Sequence, residues 1–221
     1  MGALDNTVVI LNAPPGAGKD TVARALCEAA DADHLEFKSH LRKCTALLFG
    51  VDLDWFLRAA DDRDLKDVET PLLTLPRYNY LPLSEVMGRD YPPLVETLQL
   101  SPREALIYTS EVVIKPSFGA DYFGRMAANS MDLPWGSVFS DGGFIEEVSP
   151  VLDKIGHGNL FIIKFTGQGV TSFEGDSRNW LPDIEGAHVL ETTNDGTLGE
   201  ITLKILDFIT NTRLLQQEEN Q

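Results

Sequence analysis

The chain has 221 residues, of which 43% are hydrophobic and 24% charged, and its formal net charge is −16. That length suits one domain with a full core and inserted segments, and the composition is that of a soluble globular protein with no membrane span. So acidic a chain is not expected to bind nucleic acid through its general surface, because phosphates are captured by basic stripes.

The N-terminus carries Asp5 and no basic flank, so it does not read as a signal peptide. The two cysteines, Cys27 and Cys44, are not spaced as metal ligands, and a reduced cytoplasmic protein is the simplest expectation. Val8–Leu11 reads as a short apolar strand. Gly18 to about Ala30 is helical in pattern, with Val22, Leu26 and Ala29 on one face. Leu35–Phe37 suits a second short strand, and Leu41–Phe49 and Asp54–Ala60 suit helices. Leu72–Pro93, rich in proline and tyrosine, is expected to be a long loop or lid insertion. Ser101-Pro102-Arg103-Glu104 is a capping box opening a helix to about Val113, and another helix is expected near Asp121–Met131. A strand at Ser137–Ser140, a helix at Ile145–Ile155 and a strand at Leu160–Phe165 follow. Gly167–Pro182 reads as a polar loop and His188–Leu190 as a short strand. Thr197-Leu198-Gly199-Glu200 is a second capping box, opening a helix to about Leu214.

Strands alternating with helices predict an α/β fold, a central parallel sheet flanked by helices in a three-layer sandwich. Ligands then bind beyond the carboxyl ends of the strands, where the loops after Leu11, Ser140 and Phe165 are expected to open together.

The first of those loops carries the most chemistry. "APPGAGKDT" (Ala13–Thr21) has small residues at Gly16, Ala17 and Gly18, which let the backbone approach a ligand closely, then a lysine at the helix start. Successive N–H groups, the helix dipole and the Lys19 charge together make a polyphosphate cradle. The spelling is irregular: Ala13 stands where glycine is usual and Asp20 where serine or threonine is usual. Alanine is tolerable if its backbone angles are ordinary. A carboxylate beside a polyphosphate repels it unless a metal or base intervenes, so Asp20 is a candidate magnesium ligand, directly or through water. Thr21 retains a hydroxyl for a phosphate.

Asp141 ends an apolar strand and suits magnesium or an acceptor phosphate, or simply a turn before Gly142-Gly143. Arg103 suits a monophosphate by its forked guanidinium, or is a solvated first-turn arginine. Lys38 and Arg42 lie four apart and can share a helix face, near a phosphate or in solvent. Tyr108, Ser110, Glu111, Phe123 and Phe144 are candidates to surround an acceptor base, although aromatics are more often core. The histidines His34, His40, His157 and His188 show no catalytic or metal spacing.

"APPGAGKDT" resembles the loop of nucleoside monophosphate kinases, and its Gly-Lys-Asp-Thr resembles the bacteriophage-type deoxynucleoside monophosphate kinases in particular. "FKSHLRKCTALLFGVD" (Phe37–Asp52), "SPREALIYTSEVVIKPSFGADYF" (Ser101–Phe123), "VFSDGGFIEE" (Val138–Glu147), "FEGDSRNWLP" and "TNDGTLGEI" resemble that family's later segments in the expected order. The resemblance implies a single P-loop kinase domain over residues 1–221, with an acceptor-binding insertion at about 38–131 and a lid at about 167–182. It implies ATP as donor, bound by Pro15, Gly16, Ala17, Gly18, Lys19, Asp20 and Thr21, with Asn194 near the adenine. It implies Mg2+ as cofactor, with Asp20 and Asp141 as its candidate ligands. Lys19, Asp141 and the lid arginine Arg178 become the catalytic candidates. Lys38, Arg42, Arg103, Tyr108, Ser110, Glu111, Phe123, Asp141, Phe144 and Glu147 become the acceptor-binding ones. The family often has an arginine two residues after its aspartate, where this chain has Gly143, so either another basic residue compensates or acceptor affinity is reduced. The implied partners are ATP and deoxynucleoside monophosphates, with neither nucleic acid nor membrane, and with room for a homodimer. The expected location is the cytoplasm, the host's if the chain is phage-encoded. The alternatives are a kinase of another phosphorylated small molecule, such as dephospho-coenzyme A, and a non-catalytic nucleotide-binding regulatory module.

Overall fold

The structure, a computed structural model, describes residues 2–76, 80–88, 96–174 and 178–219. In chain order the first elements are β1 (Val8–Asn12), α1 (Lys19–Ala30), β2 (Asp33–Leu35), α2 (Lys38–Phe49) and α3 (Leu53–Asp61). Next come β3 (Thr70–Pro76), α4 (Tyr80–Met87), β4 (Thr97–Leu100) and α5 (Pro102–Ile107). A π-helical stretch, Tyr108–Ile114, leads into α6 (Lys115–Phe118), and α7 (Tyr122–Ser130) follows. The last elements are β5 (Ser137–Phe139), α8 (Ile145–Ile155), β6 (Leu160–Gly167), β7 (Ala187–Asn194) and α9 (Leu198–Glu219). The chain divides into two compact units, one of residues 1–37 with 124–221 and one of residues 38–123.

The first unit is built on a five-stranded sheet in the order β2-β5-β1-β6-β7. Every pairing in it is parallel. β1 is buried at all its positions, as expected of a strand covered on both faces. The two-residue period of the strands divides their side chains between two cores. Val9, Leu11, Val138, Phe161, Ile163 and Phe165 pack with Val22 and Leu26 of α1 and Ile201, Ile205 and Ile209 of α9. Val8, Ile10, Phe139, Leu160 and Ile162 pack with Val148, Val151 and Leu152 of α8, and with Leu181. A slip of one residue in any strand would exchange these sets, so the register is strongly specified. The result is the expected α/β sandwich. The chain takes β2 and β5 to one side of β1 and β6 and β7 to the other. The reversal falls at the carboxyl end of β1, where open α/β sheets bind ligands.

The second unit has its own core, in which Ala46, Phe56, Leu73, Leu75, Leu83, Leu98, Leu100, Ala105 and Tyr108 are buried together. The expected loop at Leu72–Pro93 is corrected here. β3 pairs antiparallel with β4, and α4 lies between them in sequence. Leu73 and Leu75 are buried while Leu72 and Thr74 are exposed, so a two-residue period hides among the prolines. Residues 77–79 and 89–93 of that stretch lie outside the described residues.

The capping box at Ser101 is present: the Glu104 N–H donates to Ser101 Oγ at 3.2 Å and the Ser101 N–H to Glu104 Oε2 at 2.9 Å. The helix it opens does not stop at Val113 but widens into the π-helical stretch, closed by the Lys115 N–H on the Ser110 carbonyl. Pro116 follows with no N–H for a ladder bond of its own, and α6 is closed instead by the Gly119 N–H on the Lys115 carbonyl. The last strand is also longer than expected, because β7 pairs along all of β6. α9 runs past Leu214 to Glu219.

Candidate functional site

β1 ends at Asn12 and the chain enters the glycine loop. Gly16 and Gly18 have φ of +86° and +91°, the left-handed region that glycine adopts without strain. The Ala17 N–H donates to the Pro14 carbonyl at 3.2 Å, closing the turn. Ala13 is fully buried against the sheet core, and its φ is not positive, which explains why glycine is dispensable there. Lys19 is 8% exposed, and its Nζ reaches back to the carbonyls of Ala13 and Pro14 at 2.5 and 2.8 Å. An ammonium group is thereby held over the loop at the N-terminus of α1, where the helix dipole also favours an anion. Pro15, Asp20 and Thr21 are exposed beside it, and Ala17 is buried.

Asn194, at the end of β7, is buried, and its amide donates to the Ala17 carbonyl at 2.9 Å. It therefore shapes the glycine loop directly, a contact that the expectation of an adenine-side residue did not include. Gly18 is required twice: by its φ, and because a Cβ there would meet Asn194 Nδ2 at 2.7 Å.

Asp141 follows β5 and is 5% exposed. Its Oδ1 accepts from the Phe37 N–H at 2.8 Å, which fastens the chain just after β2. Gly142 packs so closely on β1 that a Cβ would lie 2.2 Å from Ile10 Cγ2. Gly143 lies under the stem of Arg178: a Cβ there would be 2.6 Å from Arg178 Cβ and 2.8 Å from its Cγ. Phe144 caps α8, and Phe144 and Glu147 are half-buried.

Within Gly167–Pro182, Gly167 and Val170 exchange backbone hydrogen bonds of 3.1 and 3.0 Å. Phe173 and Leu181 are buried.

The remaining acceptor candidates lie on the second unit, where several have partners. Arg42 is buried and pairs with Asp61. Arg103 Nε donates to Asp67 Oδ1 at 2.5 Å on the surface. Glu111 accepts from Ser110 Oγ at 2.8 Å and from Lys115 Nζ at 2.6 Å. Tyr108 is buried and meets Phe49 edge-on with ring centroids 6.3 Å apart. Phe123 is 2% exposed and meets Tyr122 edge-on with centroids 5.3 Å apart. Lys38 is half-buried at the start of α2. Tyr108, Ser110 and Glu111 all fall on the π-helical stretch, a wide turn that the residue pattern did not announce.

Among the described residues, no cluster of three or more His, Cys, Asp or Glu side chains is arranged to hold a metal. Magnesium suits such a site nonetheless, since it keeps several waters and commonly takes one or two carboxylates plus substrate phosphates. Asp20, exposed in the first turn of α1, fits that part, whereas Asp141 already has Oδ1 engaged by a backbone N–H. Both cysteines are free thiols, and burial, then the Asp33 charge, pushes Cys27 up to about 11, which unfits it as a nucleophile at neutral pH. No described helix is long and apolar enough to cross a membrane.

Two residues, one ending β1 and one inside β6, were not singled out from the sequence. Asn12 and Lys164 are register partners on β1 and β6, both buried. Lys164 Nζ lies 3.7 Å from Asp183 and 3.9 Å from Glu191. Their signal was a polar residue interrupting an apolar run, in "VVILN" and "LFIIKF".

Comparison with protein-family profiles finds no match, and neither does comparison with curated proteins. Among solved structures, a gluconokinase from Sinorhizobium meliloti 1021 is similar over 98% of each chain, with 11% sequence identity and a TM-score of 0.43.

Proposed function

We propose that this protein is an ATP-dependent kinase that transfers the γ-phosphoryl group to a deoxynucleoside monophosphate, giving the diphosphate. The observation that carries this is the loop itself. Two left-handed glycines, a buried Lys19 folded over the turn and a helix N-terminus meet at the carboxyl edge of β1. The resemblance of the loop and later segments to phage-type monophosphate kinases supplies the acceptor class.

The acceptor's phosphate is already anionic at neutral pH, so no general base is needed. Positioning and charge neutralisation carry the catalysis. Lys19 meets the β and γ phosphates, and Arg178 stabilises the charge that spreads over the transferring group. Pro15–Thr21 hold the donor, and Asn194 keeps the loop in shape. When bound, Mg2+ neutralises phosphate charge, with Asp20 as its chief protein ligand, directly or through water. The same resemblance makes Asp141, Phe144 and Glu147 of the first unit, and Lys38, Arg42, Arg103, Tyr108, Ser110, Glu111 and Phe123 of the second, the acceptor-side candidates.

A second reading, transfer to another phosphorylated small molecule such as dephospho-coenzyme A, is favoured by one observation. Arg42 is buried and already paired with Asp61, which weakens its claim on a nucleotide monophosphate. The test is ATP with each ribo- and deoxynucleoside monophosphate and with dephospho-coenzyme A, following the phosphorylated product directly. A deoxynucleoside diphosphate from more than one base is the expected result. Phosphorylation of dephospho-coenzyme A alone would transfer the assignment to the second reading.

A further inference from the structure

We propose that Asn12 is a positioning residue for Arg178, and that Gly143 is the seat on which the arginine's stem rests; what Arg178 then does for phosphoryl transfer rests on the kinase reading. Asn12 is fully buried at the end of β1. Its Nδ2 donates to the Gly142 carbonyl at 3.1 Å and to the Asn179 carbonyl at 3.0 Å. Its Oδ1 accepts from the Leu181 N–H at 2.8 Å. One amide thus joins the strand that feeds the phosphate loop, the turn after β5 and the segment that carries Arg178. Leu181 adds an apolar anchor, 2% exposed in the core beneath the same segment.

Gly143 completes the clasp from the other side. Its backbone does not lie in the left-handed region, so its own conformation does not call for glycine. Its neighbour does: a Cβ would lie 2.6, 2.8 and 3.1 Å from Cβ, Cγ and Cδ of Arg178. Arg178 is therefore held by the backbone just after it and by the surface under its stem. Both supports belong to loops at the carboxyl edge of the sheet. An arginine ordered in this way is presented before a ligand arrives, and needs no closing movement to reach its place.

The experiment uses the full chain with Asn12→Ala, Gly143→Ala, Arg178→Ala and the double variant Asn12→Ala/Arg178→Ala. Two readouts need no turnover: hydrogen exchange at the Leu181 amide, and the Arg178 Nε–H signal in NMR. In Asn12→Ala, Leu181 exchange should accelerate and the Arg178 signal should average towards that of a solvated arginine. Gly143→Ala removes no hydrogen bond and should shift the Arg178 signal alone, so it decides the matter should Asn12→Ala not fold. In turnover, Asn12→Ala and Gly143→Ala should each lose up to about 10²-fold in kcat, the cost of misplacing a reacting partner by about 1 Å, and Arg178→Ala at least as much, with the KM for ATP unchanged. The double variant should be no slower than Arg178→Ala, because both changes remove one device. Unchanged exchange and signals, or losses that multiply in the double variant, overturn the clasp. Altered signals in a protein whose parent phosphorylates no acceptor would uphold the clasp and remove the kinase reading instead.

Discussion

The side-chain amide of Asn194, at the end of β7, donates a 2.9 Å hydrogen bond to the carbonyl of Ala17 in the glycine loop. A residue 177 positions further along the chain therefore helps set the conformation of the turn that precedes Lys19. Asn194→Ala should weaken ATP binding by roughly 3- to 10-fold, the worth of one buried hydrogen bond. Gly18→Ala should be more severe, because the new Cβ meets that amide at 2.7 Å and φ is +91°. Titration of ATP against both variants checks the order, and an Asn194→Ala variant with parental affinity would contradict the shaping role.

Lys19→Ala should lower phosphoryl transfer by about 10²-fold or more, because its charge serves the phosphates. Its Nζ bonds to the loop carbonyls of Ala13 and Pro14 and the residue belongs to none of the hydrophobic cores, so the fold should survive. Circular dichroism alongside steady-state kinetics is the measurement. Near-normal turnover in a folded variant would remove the kinase assignment.

Asp20→Ser asks whether the exposed first-turn carboxylate works on magnesium. If it does, serine restores the commoner ligand and activity should persist with a shifted magnesium dependence. A magnesium titration that superimposes on the parent's would leave Asp20 without a metal role.

Arg103 and Asp67 form an exposed pair, worth about 0–1 kcal/mol to stability. Arg103→Ala should raise the acceptor's KM and leave ATP binding alone. Asp67→Ala, which releases the guanidinium, should lower the acceptor's KM or leave it unchanged. If neither substitution moves the acceptor's KM, Arg103 is only a surface ion pair.

Glu200 caps α9, and the Thr197 N–H at 2.7 Å, then the Thr197 hydroxyl, hold its carboxyl below the ordinary glutamate value. A depressed folded value makes the contribution complete above the unfolded pKa, about 4.3, and lost as pH falls through the lower folded one. The Tm of the parent should therefore exceed that of Glu200→Gln at neutral pH, and the gap should close as pH falls below the ordinary glutamate value. A gap independent of pH would mean that the charge of Glu200 contributes nothing at this cap.

The sequence by itself determined the layered α/β class, the glycine-rich turn before Lys19 and both capping boxes, because each is written in contiguous residues. Small residues followed by lysine make a cradle locally, and Ser101–Glu104 and Thr197–Glu200 close on themselves within one turn. The strand β3 was missed because its alternation of Leu73 and Leu75 is short and flanked by proline, and only pairing with β4 gives it a partner. The π-helical turn under Tyr108, Ser110 and Glu111 is a property of backbone hydrogen bonding that the pattern of side chains does not encode. The clasp of Asn12, Gly143 and Arg178 was equally invisible, since it joins residues brought together by parallel strands and crossover helices. A lone asparagine after four apolar residues reads as a strand end. Only the tertiary structure shows that its amide has three backbone groups to satisfy, because those groups come from the turn after β5 and the segment before β7.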